Sequence, residues 1–162
     1  MTETNKPNLW SVALLDASQQ SPFDFMSEQG EVLREETNGI LWGEVKPFIG
    51  EDGVTYHEFR IASQRLGEYR CLLLRTAHAK HIFPLYIYDY SQSDDALKPS
   101  YEYVTDSYGS IMVKNEQGKY FAPPPDFEAN DFNEFKNRFA AILQSKGTKA
   151  IVQSLLIQTN PS

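Results

Sequence analysis

The stretch CLLLRTAHAKHIFPLYIYDY, residues 71–90, decides how this chain is read. Its unbroken apolar run, Cys71 to Leu74, suits a strand covered on both faces and therefore central in a sheet. After "AKH", which reads as a tight turn, the pattern alternates. Phe83, Leu85 and Ile87 point one way, and Tyr86, Tyr88 and Tyr90 the other. The spacing predicts two neighbouring antiparallel strands, with the aliphatic set buried and the three tyrosines partly open to solvent. Burying the aliphatic row gains more apolar transfer energy.

The sequence before this stretch is also extended. "ILWGEVKPFI" (40–49) and "VTYHEFRIAS" (54–63) flank "GEDG" (50–53), whose Asp52-Gly53 is a turn signal, so they form a hairpin. Pro47 cannot donate a ladder hydrogen bond, which assigns its strand to an edge or a bulge. Before it, "SPFDFMSEQGEVLREETNG" (21–39) is helical. Ser21 caps it, Asp24 completes an S-x-x-D start, and Phe23, Met26, Gly30 and Leu33 share a face up to the Asn38-Gly39 stop.

Beyond residue 90, "YEYVTDSYGSIMVKNEQGKYFA" is again strand-like, with a turn at 115–118, and Pro123 to Pro125 break all regular structure. A helix follows at 131–146, started by Asp131 and Glu134, with Phe132, Phe135, Phe139, Ile142 and Leu143 as its apolar stripe. Gly147 ends it, and Thr148 caps a last helix at 149–159. Strands grouped apart from helices predict an α+β fold. In it, an antiparallel meander from 40–90 carries an N-terminal helix and two C-terminal helices. Residues 1–162 are expected to form one such domain, with a frayed start.

The chain has 162 residues, 41% hydrophobic and 23% charged, ordinary for a globular domain with a core. A net charge of −7 disfavours nucleic acid, whose phosphates need clustered cations. Neither a leader nor a run of roughly 20 apolar residues is visible, and the single Cys71 cannot form an internal disulfide. The expected location is the cytoplasm, with no membrane partner.

Chemical signatures are sparse. His78 and His81 bracket the turn, and His57 could approach them, yet no H-E-x-x-H, C-x-x-C or adjoining carboxylate completes a ligand set. No bound metal or cofactor is expected. Cys71, among leucines, reads as an inert small hydrophobe. The acid pairs Glu35-Glu36, Glu51-Asp52 and Asp94-Asp95 lie beside turns or helix ends, where solvated acids are common. No G-x-S-x-G elbow or glycine-rich phosphate loop occurs. "FAPPPDF" (121–127) is a rigid link.

Charge is unevenly distributed. Residues 60–80 carry Arg60, Arg65, Arg70, Arg75 and Lys80 against Glu68. Residues 86–108 carry Asp89, Asp94, Asp95, Glu102 and Asp106 against Lys98, with six tyrosines. One explanation is compensation between neighbouring strands. The other is an acidic, tyrosine-rich recognition face of Tyr86, Tyr88, Tyr90, Tyr101 and Tyr103 with Asp89, Asp94 and Asp95. Small acidic α+β domains without catalytic signature are similar in type to bacterial immunity proteins that neutralise basic toxin domains. The likeness assigns no residue a role. It implies a non-enzymatic protein-binding domain with a basic protein partner. Two alternatives are a small enzyme or small-molecule binder with a tyrosine-lined pocket near His57, His78 and His81, and a homodimer through an exposed sheet face or edge.

Overall fold

The computed structural model describes Leu9 and residues 20–50, 53–64, 67, 70–91, 102–105, 111–114, 120–121 and 125–158. Helix α1 (Pro22–Glu36) leads into strands β1 (Leu41–Ile49), β2 (Thr55–Ser63), β3 (Arg70–His78) and β4 (Leu85–Asp89). Short strands β5 (Glu102–Thr105), β6 (Ile111–Lys114) and β7 (Tyr120–Phe121) precede β8 (Phe127–Ala129), α2 (Phe132–Leu143) and α3 (Lys146–Gln158). The main sheet is antiparallel in the order β1-β2-β3-β4-β8, and β5-β6-β7 form a separate antiparallel sheet. This is the expected α+β architecture, with β3 central.

Three departures have local physical causes. First, β8 joins the sheet beside β4, with Ile87 opposite Phe127, immediately after the proline break. Second, β3 and β4 are joined by residues 79–84 and not by a tight turn: Phe83–Pro84 is a cis peptide and β4 begins only at Leu85. Third, the second helix ends at Leu143, and Ser145 starts the last one. Its hydroxyl accepts the Thr148 N–H at 3.2 Å, while Thr148 donates its own hydroxyl to the Ile142 carbonyl at 2.6 Å. Gly147 lies inside the first turn of α3 and is not a terminator. The caps at Ser21 and Asp131 stand as expected, accepting from Asp24 N–H at 3.1 Å and Glu134 N–H at 2.8 Å. Asn38 and Gly39 adopt left-handed backbone at φ 53 and 82.

The helices cover one sheet face. Phe59, Ile61, Leu74, Leu85 and Ile87 point into them, and with Met26, Leu41, Phe135, Phe139 and Ile142 form the buried core. Each such side chain contributes about 1.5–3 kcal/mol of apolar burial. Phe59 meets Phe139 edge-on at 5.3 Å, and Phe25 reaches the Phe132, Phe135 and Phe139 rings in the same edge-to-face manner. Helix α1 touches β1 backbone to backbone: a methyl group built on Gly30 would lie 2.3 Å from the Gly43 carbonyl oxygen.

Strand β3 carries a bulge. Phe59 pairs with Leu74 and Arg60 with Leu72, so Leu73 is the extra residue. Leu73 and Leu74 are both fully buried. The bulge reverses the phase of the strand, and Arg75 faces away from the helices with its register partner Glu58.

The outer edge of β1 is blunted. Gly50 N–H donates to Val54 C=O, so the even-numbered residues of β1 bond to β2 and the odd-numbered ones turn their backbone outward. Pro47, on the outward side, offers no donor, and the Leu41 N–H is taken by the Thr37 hydroxyl at 3.0 Å. Both features oppose pairing of this edge with a second copy. Among the described residues, no helix is long and apolar enough to cross a membrane.

Candidate functional site

Strand alternation and register assemble the face of the main sheet turned away from the described helices. It presents Trp42, Glu44, Lys46 and Phe48 from β1, Tyr56, Glu58 and Arg60 from β2, Arg70, Leu72 and Arg75 from β3, and Tyr86 and Tyr88 from β4. At its centre the Glu58 carboxylate accepts from two guanidiniums, Arg60 at 2.8 Å and Arg75 at 2.9 Å. Glu58 and Arg75 are almost wholly buried, with side chains 5% and 6% exposed, while Arg60 is 31% exposed. The Arg75 guanidinium lies over the Phe48 ring at 5.2 Å and the Tyr56 ring at 5.7 Å, and these two rings stack at 5.0 Å. Tyr88 is the register partner of Arg75. Burial pushes its phenol above the usual range, with Tyr56 adding to the effect.

A second polar group lies further along the same face. Glu44 accepts the Trp42 indole N–H at 2.9 Å and the Arg70 Nε–H at 2.7 Å. The Trp42 hydrogen bond, followed by Arg70, holds its carboxyl below the usual range. Arg34, from the end of α1, reaches over the Trp42 ring at 4.5 Å.

Of the residues expected to recognise a partner, Tyr86 and Tyr88 share this face and are half-buried, while Leu85 and Ile87 are buried, as the alternation required. Tyr90 follows the strand, half-buried, its N–H bonded to the Leu73 carbonyl. Asp89 does not belong with the tyrosines. It has the parity of Leu85 and Ile87, is 6% exposed, and accepts the Ser91 N–H at 2.9 Å as well as the Ser91 hydroxyl. It is therefore a buried structural acid and not a surface one. Asp94, Asp95 and Tyr101 lie outside the described residues, and Tyr103 is placed by its backbone alone, opposite Val113 in the second sheet. The arginines at 60, 70 and 75 take Glu58 and Glu44 as partners. Compensation of charge thus occurs within β1–β3, through acids that sequence reading did not single out. The observed register pairs Lys46 with Glu58 and Glu44 with Arg60, one residue beyond the pairing that centring the hairpin on "GEDG" gives.

The histidines lie elsewhere. His57 and His78 are on the helix side, diagonal neighbours with ring centroids 6.0 Å apart, and Phe23 of α1 stacks on His57 at 3.5 Å. His81 is exposed in the connection to β4. The sheet separates this group from Tyr86 and Tyr88, so the described residues form no joint tyrosine-histidine pocket. Among them, no cluster of three or more His, Cys, Asp or Glu side chains could hold a metal ion. A groove of about 330 Å³ runs between Cys71 and α3, lined by Gly147, Ala150, Ile151, Ser154, Leu155 and Gln158.

Burial, and then the charge of His78, lower the His57 pKa from 6.5 to about 4. The unfolded chain consequently binds a proton near pH 6.5 that the folded chain refuses until about pH 4. Stability contributed by neutral His57 is complete above this window and is lost as pH falls through it. Urea unfolding between those limits should show stability rising with pH. In His57→Phe, which keeps the stack on Phe23, the slope should flatten. An unchanged slope would assign the dependence to other groups.

No protein-family model, curated protein or solved structure matches this chain, and the geometry of the sheet face carries the functional reading.

Proposed function

We propose that this chain is a non-enzymatic protein-binding domain of the inhibitor or immunity type, acting in the cytoplasm through the face of its main sheet turned away from the described helices. One observation carries the reading. Trp42, Phe48, Tyr56, Tyr86 and Tyr88 are half-buried on one side of the sheet, around arginines held by Glu44 and Glu58. Tryptophan, tyrosine and arginine are the residues that dominate protein interfaces, because they bury large rigid surfaces and still offer polar contacts. The fixed guanidiniums lose little further freedom on binding, which lowers the cost of association. The basic-partner form of this reading rests on Asp94 and Asp95, outside the described residues.

The test is affinity purification from the native host with wild-type chain, with Tyr86→Ser/Tyr88→Ser, and with Ile157→Ser at an exposed position of α3. A discrete protein should be retained by wild type and Ile157→Ser, and reduced on the order of tenfold by the double tyrosine variant, as loss of two interface anchors implies. Retention that ignores the tyrosines, or that fails only with Ile157→Ser, would move the interface elsewhere.

A further inference from the structure

We infer that the partner of this face presents an arginine, and that it seats over Tyr86 and Tyr88 against Glu128. The inference rests on the protein-binding reading and gives the partner's chemistry. The face builds one arrangement twice, each time with a cation of its own. In the first, the Trp42 ring has Arg34 at 4.5 Å and Arg70 at 5.9 Å, and Arg70 is bonded to Glu44. In the second, the Phe48 and Tyr56 rings have Arg75 at 5.2 and 5.7 Å, and Arg75 is bonded to Glu58. Both consist of an aromatic face, a guanidinium and a carboxylate.

The β4–β8 part of the face has the rings and the carboxylates without the cation. Tyr86 is the register partner of Glu128, which sets their Cβ atoms about 4.5–5.5 Å apart. Asp126 lies near enough to Tyr88 for its charge to bear on the phenol. Both acids are exposed, and both tyrosines are half-buried. Among the described residues, no ring stacks on Tyr86 or Tyr88, no cation lies over either, and neither acid pairs with a cation. Asp126 gives one oxygen, Oδ2, to the Asp89 N–H at 2.7 Å, and Glu128 gives none. Arg75 is in register with Tyr88, but its guanidinium lies over Phe48 and Tyr56.

A guanidinium completes this third set better than other groups do. Its plane stacks on a tyrosine ring while its N–H edge forks onto a carboxylate, so one side chain meets Tyr86 and Glu128 together. An ammonium is a strongly hydrated point charge without that fork, and it gains less from the same surroundings. An acidic side chain or a phosphate would meet two carboxylates that no cation balances. The described residues thus give a basic partner a ground separate from Asp94 and Asp95.

The experiment titrates the ¹⁵N-labelled full chain with four capped tripeptides, Gly-Arg-Gly, Gly-Lys-Gly, Gly-Gln-Gly and Gly-Glu-Gly. The arginine peptide should shift the Tyr86, Tyr88 and Glu128 amides, with millimolar affinity. The lysine peptide should bind about threefold more weakly, and the neutral and acidic ones on the order of tenfold. Glu128→Gln should cost the arginine peptide about fivefold, with the amides of α1 where they are in wild type. Equal binding of the lysine peptide would overturn the choice of arginine, and equal binding of the glutamine peptide the need for a cation. Shifts remote from these residues, or none with any peptide, would sink the inference as a whole. The protein-binding reading is judged separately, by the partner retained from the host. Glu128→Gln should reduce that retention about fivefold. A partner lost with Tyr86→Ser/Tyr88→Ser yet held in full by Glu128→Gln would remove the arginine and leave the protein-binding reading standing.

Discussion

Glu58→Ala is expected to destabilise the protein by about 3–5 kcal/mol, the usual cost of removing one partner from a buried ion pair. The reason is what remains. Arg75, 6% exposed, would keep its charge without the carboxylate that now lies 2.9 Å away. Arg60 would lose its Glu58 hydrogen bond as well. Urea unfolding at neutral pH should show the midpoint falling with the slope unchanged, and thermal unfolding should shift by about 10 °C for a chain of this size. A second variant separates the buried charge from mere loss of contact. In Glu58→Leu/Arg75→Met neither charge remains, the volume is roughly kept, and most of the stability should return. A double variant as unstable as Glu58→Ala would mean that the buried charge of Arg75 is not the cause.

Gly30→Ala should cost about 3 kcal/mol, by overpacking at a contact that cannot yield. The added methyl would sit 2.3 Å from the Gly43 carbonyl oxygen, and both surfaces are backbone. No flexible side chain is there to swing aside, so α1 must lift from β1. The alanine gains up to about 1 kcal/mol in helix propensity, which offsets only part of the clash. Gly43→Ala should be similarly costly, since its methyl would meet the Phe59 ring at 2.5 Å and the Gly30 Cα at 2.8 Å. Gly39→Ala is the control. At φ +82 and with open space around it, it should lose only about 1–2 kcal/mol of backbone strain. Circular dichroism melts of the three variants would rank them, and a Gly30→Ala protein as stable as wild type would contradict the backbone contact.

How far the sequence could be read depended on whether a signal was local. The helix at Ser21 and the hairpin at Asp52-Gly53 are announced by neighbouring residues, and both formed where the caps and turn required. The row of Tyr86 and Tyr88 followed from alternation alone. The same rule placed Asp89 with Leu85 and Ile87, and treating it as a surface acid gave composition priority over parity. The start of α3 was misplaced by three residues. Thr148 resembles a cap, but Ser145, three positions earlier, does the capping. Strand β8 has three residues and follows a proline run, so its identity depends on the open edge of β4 and not on its own pattern. The Glu58 cluster required three strands in register at once, and the turn signal places even the hairpin half of that register one residue out.

The bulge at Leu73 has a consequence for chain length. Upstream of it the odd-numbered residues of β3 face the helices, and downstream the even-numbered ones do. A chain lacking Leu73 would pair Phe59 with Leu74 and Arg60 with Leu72 in one unbroken ladder, every other side chain keeping its present side. The extra residue therefore adds a leucine to the core without redirecting any neighbour. Strand β3 is a place where this fold can gain or lose a residue mid-strand, a freedom that sequences ordinarily find only in loops.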